Sequence, residues 1–268
     1  MRFSANISTL FTEAPFLDRF ALAARAGFSA VEFWWPTDDL EAVRAAVRDA
    51  GVHVALLNFD GGDLPAGDRG LLSNPATHER FRENVPVALA LARDLGCDRL
   101  NLLVGRQVEE LFRAEQLGLA CHNVRWAADE AAPMGVTVLI EAVNTKDLAG
   151  YLLDTTAAAT AFLRQVARPN VAYQYDVYHM QRMEGDVVAT LRAQMPHIGH
   201  IQIADSPGRG EPGTGEIRFA YVLSEIEALG YTGYVGLEYI PTTGTEESLR
   251  WLPREQRGQD IQIDQLAL

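Results

Sequence analysis

The amino-acid sequence predicts a single (β/α)8 TIM barrel, and three observations carry that expectation. Short runs rich in β-branched residues alternate with longer Ala/Leu/Arg-rich stretches of helical period. Eight such pairs fit within the ~250 residues that one barrel needs. No stretch of linker composition separates them.

The expected strands fall at 3–8 (FSANIS), 30–35 (AVEFWW), 53–59 (HVALLNF), 99–105 (RLNLLVG), 136–143 (VTVLIEAV), 171–178 (VAYQYDVY), 198–205 (IGHIQIAD) and 233–240 (GYVGLEYI). Between them lie helical patterns such as "DLEAVRAAVRDAG" and "RFAYVLSEIEALG", each ending at a glycine, a normal helix stop. A doubly wound open sheet is the alternative, but no G-x-G-x-x-G follows the first strand. The barrel takes residues 1–252. A polar tail, 253–268 (PREQRGQDIQIDQLAL), stands outside the repeat as an appendage that could pack on a partner subunit of a homo-oligomer.

The 268 residues are 48% hydrophobic, enough for a sizeable core, and carry a formal charge of −13. That charge argues against nucleic acid as a partner, because binding phosphates needs clustered Lys and Arg. Cys97 and Cys121 form neither a disulfide framework nor a metal-ligand spacing. The start, "MRFSANISTLFTEAPF", lacks a long apolar core and a cleavage site, and no segment is apolar enough to span a bilayer. A cytoplasmic protein without a membrane partner is expected.

In a barrel the chemistry sits where strands end. The fifth strand ends in Glu141, the sixth in Asp176, the seventh carries Gln202 and the eighth Glu238. Period-two alternation puts Glu141 on a face with Leu139, Asp176 with Gln174, Gln202 with His200, and Glu238 with Gly236. All four can therefore point into the barrel mouth. Three carboxylates crowded there repel one another unless a cation or protons compensate. Three carboxylates and one amide oxygen suit a hard divalent ion, Mg²⁺ or Mn²⁺, and would explain why a strand buries Gln202. The alternative is four unrelated polar groups, each paired with an arginine.

The loop after Gln202, "ADSPGRGEPGTGEI", holds four glycines and two prolines around Arg209. No G-K-[ST] follows, so it is not a phosphate cradle. A constrained path that aims Arg209 inward would supply a planar fork for a carboxylate; the bland alternative is a surface turn. Asn58 and Arg69, in and near "NFDGGDLPAGDRG", are further pocket candidates, and the loop 60–75 is long enough to act as a lid. Glu32 is expected to pair with His53 or to face a ligand. Trp34 and Trp35 either wall the pocket or pack against helices.

The words "YDVYHMQRMEGD" (175–186), "GHIQIADSPGRGEPGTGEI" (199–217) and "GYVGLEYIP" (233–241), with "RFSANISTLF" and "LPAGDRG", resemble the hydroxypyruvate isomerase family of xylose-isomerase-like TIM barrels. The resemblance spans roughly residues 2 to 252. It implies isomerisation of hydroxypyruvate to tartronate semialdehyde, or of the one-carbon-longer 2-oxo-tetronate. It implies Glu141 and Glu238 as the catalytic pair that moves a proton through an enediolate. It implies Glu141, Asp176, Gln202 and Glu238 as metal ligands, and His179 and Arg209 as substrate-binding residues. The chain departs from the family pattern at Ala142 and Ala149, where prolines are usual, which bears on the 142–150 loop.

Other activities compete. A DNA-repair endonuclease on this fold would need a basic face and a histidine-rich zinc site. A Schiff-base aldolase would need a lysine on an inner strand face, and the only lysine, Lys146, lies in a loop. A ketose 3-epimerase would use the same carboxylates on neutral sugars. A barrel that binds sugar acids without turnover is the non-enzymatic alternative.

Overall fold

The computed structural model describes every residue except Pro65, within the 64–70 word, and the side chain of Gln265. Each of the eight expected runs forms a strand. These are β1 (Arg2–Asn6), β2 (Ala30–Phe33), β3 (His53–Asn58), β4 (Arg99–Leu102), β5 (Thr137–Glu141), β6 (Val171–Asp176), β7 (Ile198–Ile203) and β8 (Tyr234–Leu237). They pair in parallel in chain order and close, β8 against β1. Helices cover the outside: α1 (Phe16–Arg25), α2 (Leu40–Ala50), α3 (His78–Leu95), α4 (Arg113–Ala131), α5 (Thr156–Val166), α6 (Val177–Met183), α7 (Val187–Gln194), α8 (Phe219–Ala228) and a short α9 (Thr245–Ser248).

Local chemistry sets these boundaries. Asp39 caps α2 by accepting from the backbone N–H groups of Glu41 and Ala42, and Gly51 ends that helix at φ +66°. The apolar face of α2 buries Val43 and Val47 in the hydrophobic core. Register shifts between Val31 and Glu32 and between Tyr173 and Gln174 show where two strands absorb the stagger that closure demands.

The tail does not stand off as an appendage. Ile261 N–H bonds the Met1 carbonyl at 2.9 Å, and the amino terminus pairs with Asp260. Buried Arg257 donates to the carbonyls of Leu252, Ala26 and Leu249. Residues 253–268 thus strap the start of β1 and the end of α1, at the end of the barrel opposite the site. Ile261 and Ile263 supply buried apolar contact inside a polar-looking segment.

Candidate active site

The upper barrel interior is lined by polar side chains, buried and bonded to one another. Ser4, Asn6, Glu32, Asn101, Gln174, Asp176, His200 and Gln202 are each no more than 1% exposed. At the centre stands Glu32, which accepts from Ser4 Oγ (2.7 Å), Asn6 Nδ2 (3.3 Å) and Gln202 Nε2 (2.7 Å), with His200 Nε2 at 2.9 Å. Room for its carboxylate comes from Gly236, where a Cβ would sit 2.3 Å from Glu32 Oε1. The partner of Glu32 is therefore His200 and not His53. His53 opens β3 at the other end of the barrel and leans on Tyr234, so it cannot reach.

Above this layer lies a cavity of about 130 Å³. It is lined by seven of the residues singled out in the sequence: Trp34, Asn58, Arg69, Glu141, His179, Arg209 and Glu238. Trp34 walls it, and Trp35 packs on the core beside a larger neighbouring cavity of about 800 Å³. Asp176 and Gln202 do not line the smaller cavity, but each touches a residue that does. Gln202 Nε2 donates to Glu238 Oε2 at 2.5 Å, and Asp176 Oδ2 stands 3.7 Å from His179 Nε2. Arg69 Nη1 is held by the carbonyls of Leu64 and Asp68. In the 60–75 loop, Gly70 N–H bonds the Gly61 carbonyl, and the Asp60 carboxylate that precedes Gly61 takes a bidentate pair from Arg80.

The carboxylates are under strain of charge. Burial pushes Glu141 well above the usual carboxylate range, reinforced by Glu238 and Asp176 and eased by Asn101 and Arg209. Burial raises Glu238 to about 8, against the pull of Arg209 and with the push of Asp176 and Glu32. Asp176 rises to about 6, again chiefly by burial. Burial opposes the charge on Arg209, but Glu238, Asp176 and Glu141 outweigh it and hold the guanidinium more firmly charged. Burial, then Arg209, lowers His179 well below its ordinary value, so the ring is neutral.

A cation fits this set. Asp176 Oδ2 is buried with no hydrogen-bond partner, and Glu141 Oε1 faces it across His179 with no donor among the described residues. The ligand atoms of Glu141, Asp176 and His179 lie within 4.8 Å of one another, the one such group among the described residues. Gln202 differs from expectation: its oxygen accepts from Gln174 Nε2 at 2.7 Å, and its nitrogen faces Glu32 and Glu238. The carboxyl oxygens of Glu32 and Glu238 accept from the NH₂ end of the amide, and this reverses the orientation expected beside a cation.

The 205–217 loop is built around Asp205. This fully buried carboxylate accepts from the backbone N–H groups of Ser206, Gly213, Gly215 and Ile217 at 2.8–3.0 Å. Gly215 must be glycine, since a Cβ would lie 2.1 Å from the Ser206 carbonyl. The turn holds Arg209 at φ +57°, unusual without glycine, with its carbonyl bonded by Ile240 N–H. Its Nη2 donates to Glu238 Oε1 at 2.7 Å, and its guanidinium carbon lies 5.4 Å from the centre of the Tyr178 ring.

Read from the sequence, Ser4, Asn6 and Asn101 have no place in the site, and Gln174 enters only as the inner-face neighbour of Asp176. The same alternation that selected Glu141 puts each on an inner face, and that signal would have found them. Asp205 had no such signal, because its four partners come from its own loop only after the loop has folded. The exposed position of Lys146, outside the pocket, removes the Schiff-base alternative.

The xylose isomerase-like TIM barrel family model matches residues 20–255. A hydroxypyruvate isomerase of Escherichia coli is 43% identical over 94% of this chain and 98% of its own length. A 2-oxo-tetronate isomerase of Cupriavidus necator is 42% identical over 94% and 97%. A crystal structure from Brucella melitensis, described as an AP endonuclease of family 2, superposes with a TM-score of 0.89 at 41% identity, covering 93% of this chain and 97% of that one.

Proposed function

We propose that this chain, which belongs to the xylose isomerase-like TIM barrel family and is an isomerase of the hydroxypyruvate isomerase group within it, interconverts hydroxypyruvate and tartronate semialdehyde. The one-carbon-longer 2-oxo-tetronate is the alternative substrate, since a relative of nearly equal identity bears that name. The observation that carries the proposal is that Glu141 and Glu238, both with raised affinity for protons, line one cavity of about 130 Å³. That volume suits a three- or four-carbon acid.

The reaction moves one carbon-bound proton to the neighbouring carbon and exchanges carbonyl for hydroxyl. One glutamate takes the proton from the hydroxymethyl carbon of hydroxypyruvate, leaving an enediolate. The other delivers a proton to the former carbonyl carbon, and the hydroxyl proton passes to the new hydroxyl oxygen. Carboxyls with affinities moved toward neutrality are fit for both tasks. Arg209, paired with Glu238 in the free protein, would take the substrate carboxylate through its unused donors; its Nε is buried and unpartnered. Asn58, Arg69 and His179 would bind the remaining oxygens. A divalent cation, Mg²⁺ or Mn²⁺, would be held by Glu141, Asp176 and Glu238, with Gln202 joining only if its amide turns. When bound, it would offset the negative charge that develops on the substrate oxygens.

A nucleic-acid substrate, the meaning carried by the words endonuclease and AP, is disfavoured by the charge of −13 and by so small a cavity. Incubating the protein with hydroxypyruvate, 2-oxo-tetronate and a neutral ketose in parallel tests the proposal. Turnover of either acid above the ketose supports it. Turnover of the ketose alone would replace it with an epimerase.

A further inference from the structure

His179 is gripped at one ring nitrogen by Asn144. Its Nδ1 lies 2.6 Å from Asn144 Nδ2. The direction of that amide is set independently of the histidine. Asn144 Oδ1 accepts the Asp147 backbone N–H at 2.9 Å, and Nδ2 donates to Asp147 Oδ2 at 3.0 Å. Turning the amide over would aim its NH₂ at an N–H and its oxygen at a carboxylate, two repulsive contacts. Asp147 is itself anchored by the Tyr178 hydroxyl, with Arg182 Nη2 3.7 Å away.

An amide NH₂ offers no lone pair, so Nδ1 of His179 must be the acceptor. The ring therefore carries its single N–H on Nε2. That nitrogen looks toward the carboxylate cluster, 3.7 Å from Asp176 Oδ2 and 3.9 Å from Glu141 Oε1. A ligating histidine is arranged the other way, giving its far N–H to a carboxylate or carbonyl and its lone pair to the metal.

We propose that Asn144 is a positioning residue that locks His179 as the Nε2–H tautomer, keeping the imidazole out of metal coordination and leaving it a hydrogen-bond donor to a substrate oxygen. The substrate role rests on the isomerase reading above; the tautomer rests only on the contacts around Asn144. The geometric cluster of Glu141, Asp176 and His179 then offers oxygen donors alone. Oxygen donors favour Mg²⁺ or Mn²⁺ over Zn²⁺, which imidazole ligation would favour.

The test uses metal-free protein labelled with ¹⁵N-histidine. Two-bond ¹H–¹⁵N correlation spectra distinguish the ring nitrogens, and a His179→Gln sample identifies the resonances. The expected result is an unprotonated Nδ1 and a protonated Nε2 in the wild-type protein. In Asn144→Asp, whose carboxylate accepts an Nδ1–H, the tautomer reverses and Zn²⁺ affinity by calorimetry rises roughly ten-fold or more relative to Mg²⁺. A wild-type ring protonated at Nδ1, alone or together with Nε2, overturns the proposal, as does an unchanged tautomer in Asn144→Asp. The wild-type spectrum decides the matter even where a variant fails to fold. Failure of the isomerase reading would appear as absent turnover with the tautomer intact.

Discussion

Arg209 and Glu238 form an ion pair at the barrel mouth, Nη2 to Oε1 at 2.7 Å, on a backbone held in the left-handed region. One cation thus steadies a carboxylate that its buried neighbours Asp176 and Glu32 repel. An acid substrate entering the cavity would compete for the same guanidinium and free Glu238 to exchange a proton.

Removal of that fork should be felt mainly in binding. Arg209→Lys keeps a charge but loses bidentate geometry, and a charge-assisted hydrogen bond is worth about 1.5–3 kcal/mol. KM for hydroxypyruvate should rise about ten- to hundred-fold, with a smaller change for any neutral ketose. Steady-state kinetics on both substrates checks the split.

Glu141→Gln and Glu238→Gln are close to isosteric, and the hydrogen bonds from Asn101 and Asn6 can be kept by an amide oxygen. Each should fold normally by circular dichroism and lose roughly 10²–10⁴ in kcat, the usual worth of a positioned acid or base. Near-normal kcat in either would remove that residue from proton transfer.

Metal and pH should act together. Asp176 and Glu238 bind protons more tightly in the fold, about 6 and about 8, than in the unfolded chain, where carboxyls titrate near 4. The folded state therefore holds more protons between about pH 4 and 8, and the stability these groups contribute is lost as pH rises through that window. Thermal melts of metal-free protein should show this fall, shallower in Glu238→Gln. Added Mn²⁺ should raise Tm more at pH 8 than at pH 5.5, because ligands must shed protons to bind it.

Much of this was legible in the sequence, and the reasons are specific. Eight strands stood out because each carries a compact apolar run between helical periods. Glu141, Asp176, Gln202 and Glu238 stood out because period-two alternation predicts an inner face. Orientation was not legible: the Gln202 amide turns toward Glu32, a residue 170 positions away, and its direction depends on which charges share the interior. The tail read as polar, yet Arg257 and Ile261 pack inward through backbone carbonyls that no side-chain pattern encodes.

Asp205 should matter for stability and, through Arg209, for binding. Asp205→Ala leaves four loop N–H groups without their acceptor, and each buried orphan costs about 1–3 kcal/mol. Urea denaturation should show a loss of at least about 3 kcal/mol, with a raised KM at temperatures where the variant stays folded. Asp205→Asn, which keeps one acceptor oxygen, should lose less.

Proton transfer by two carboxyls can be read from the fate of the migrating hydrogen. Proton NMR of hydroxypyruvate turnover in D₂O, with Mg²⁺ or Mn²⁺ present and again after chelation, reads it at the new carbinol carbon of tartronate semialdehyde. Two glutamates on opposite sides of the substrate predict deuterium there in every product molecule, with turnover falling on chelation. Full retention of protium at that carbon would exclude transfer between the two glutamates and point to a hydride shift instead.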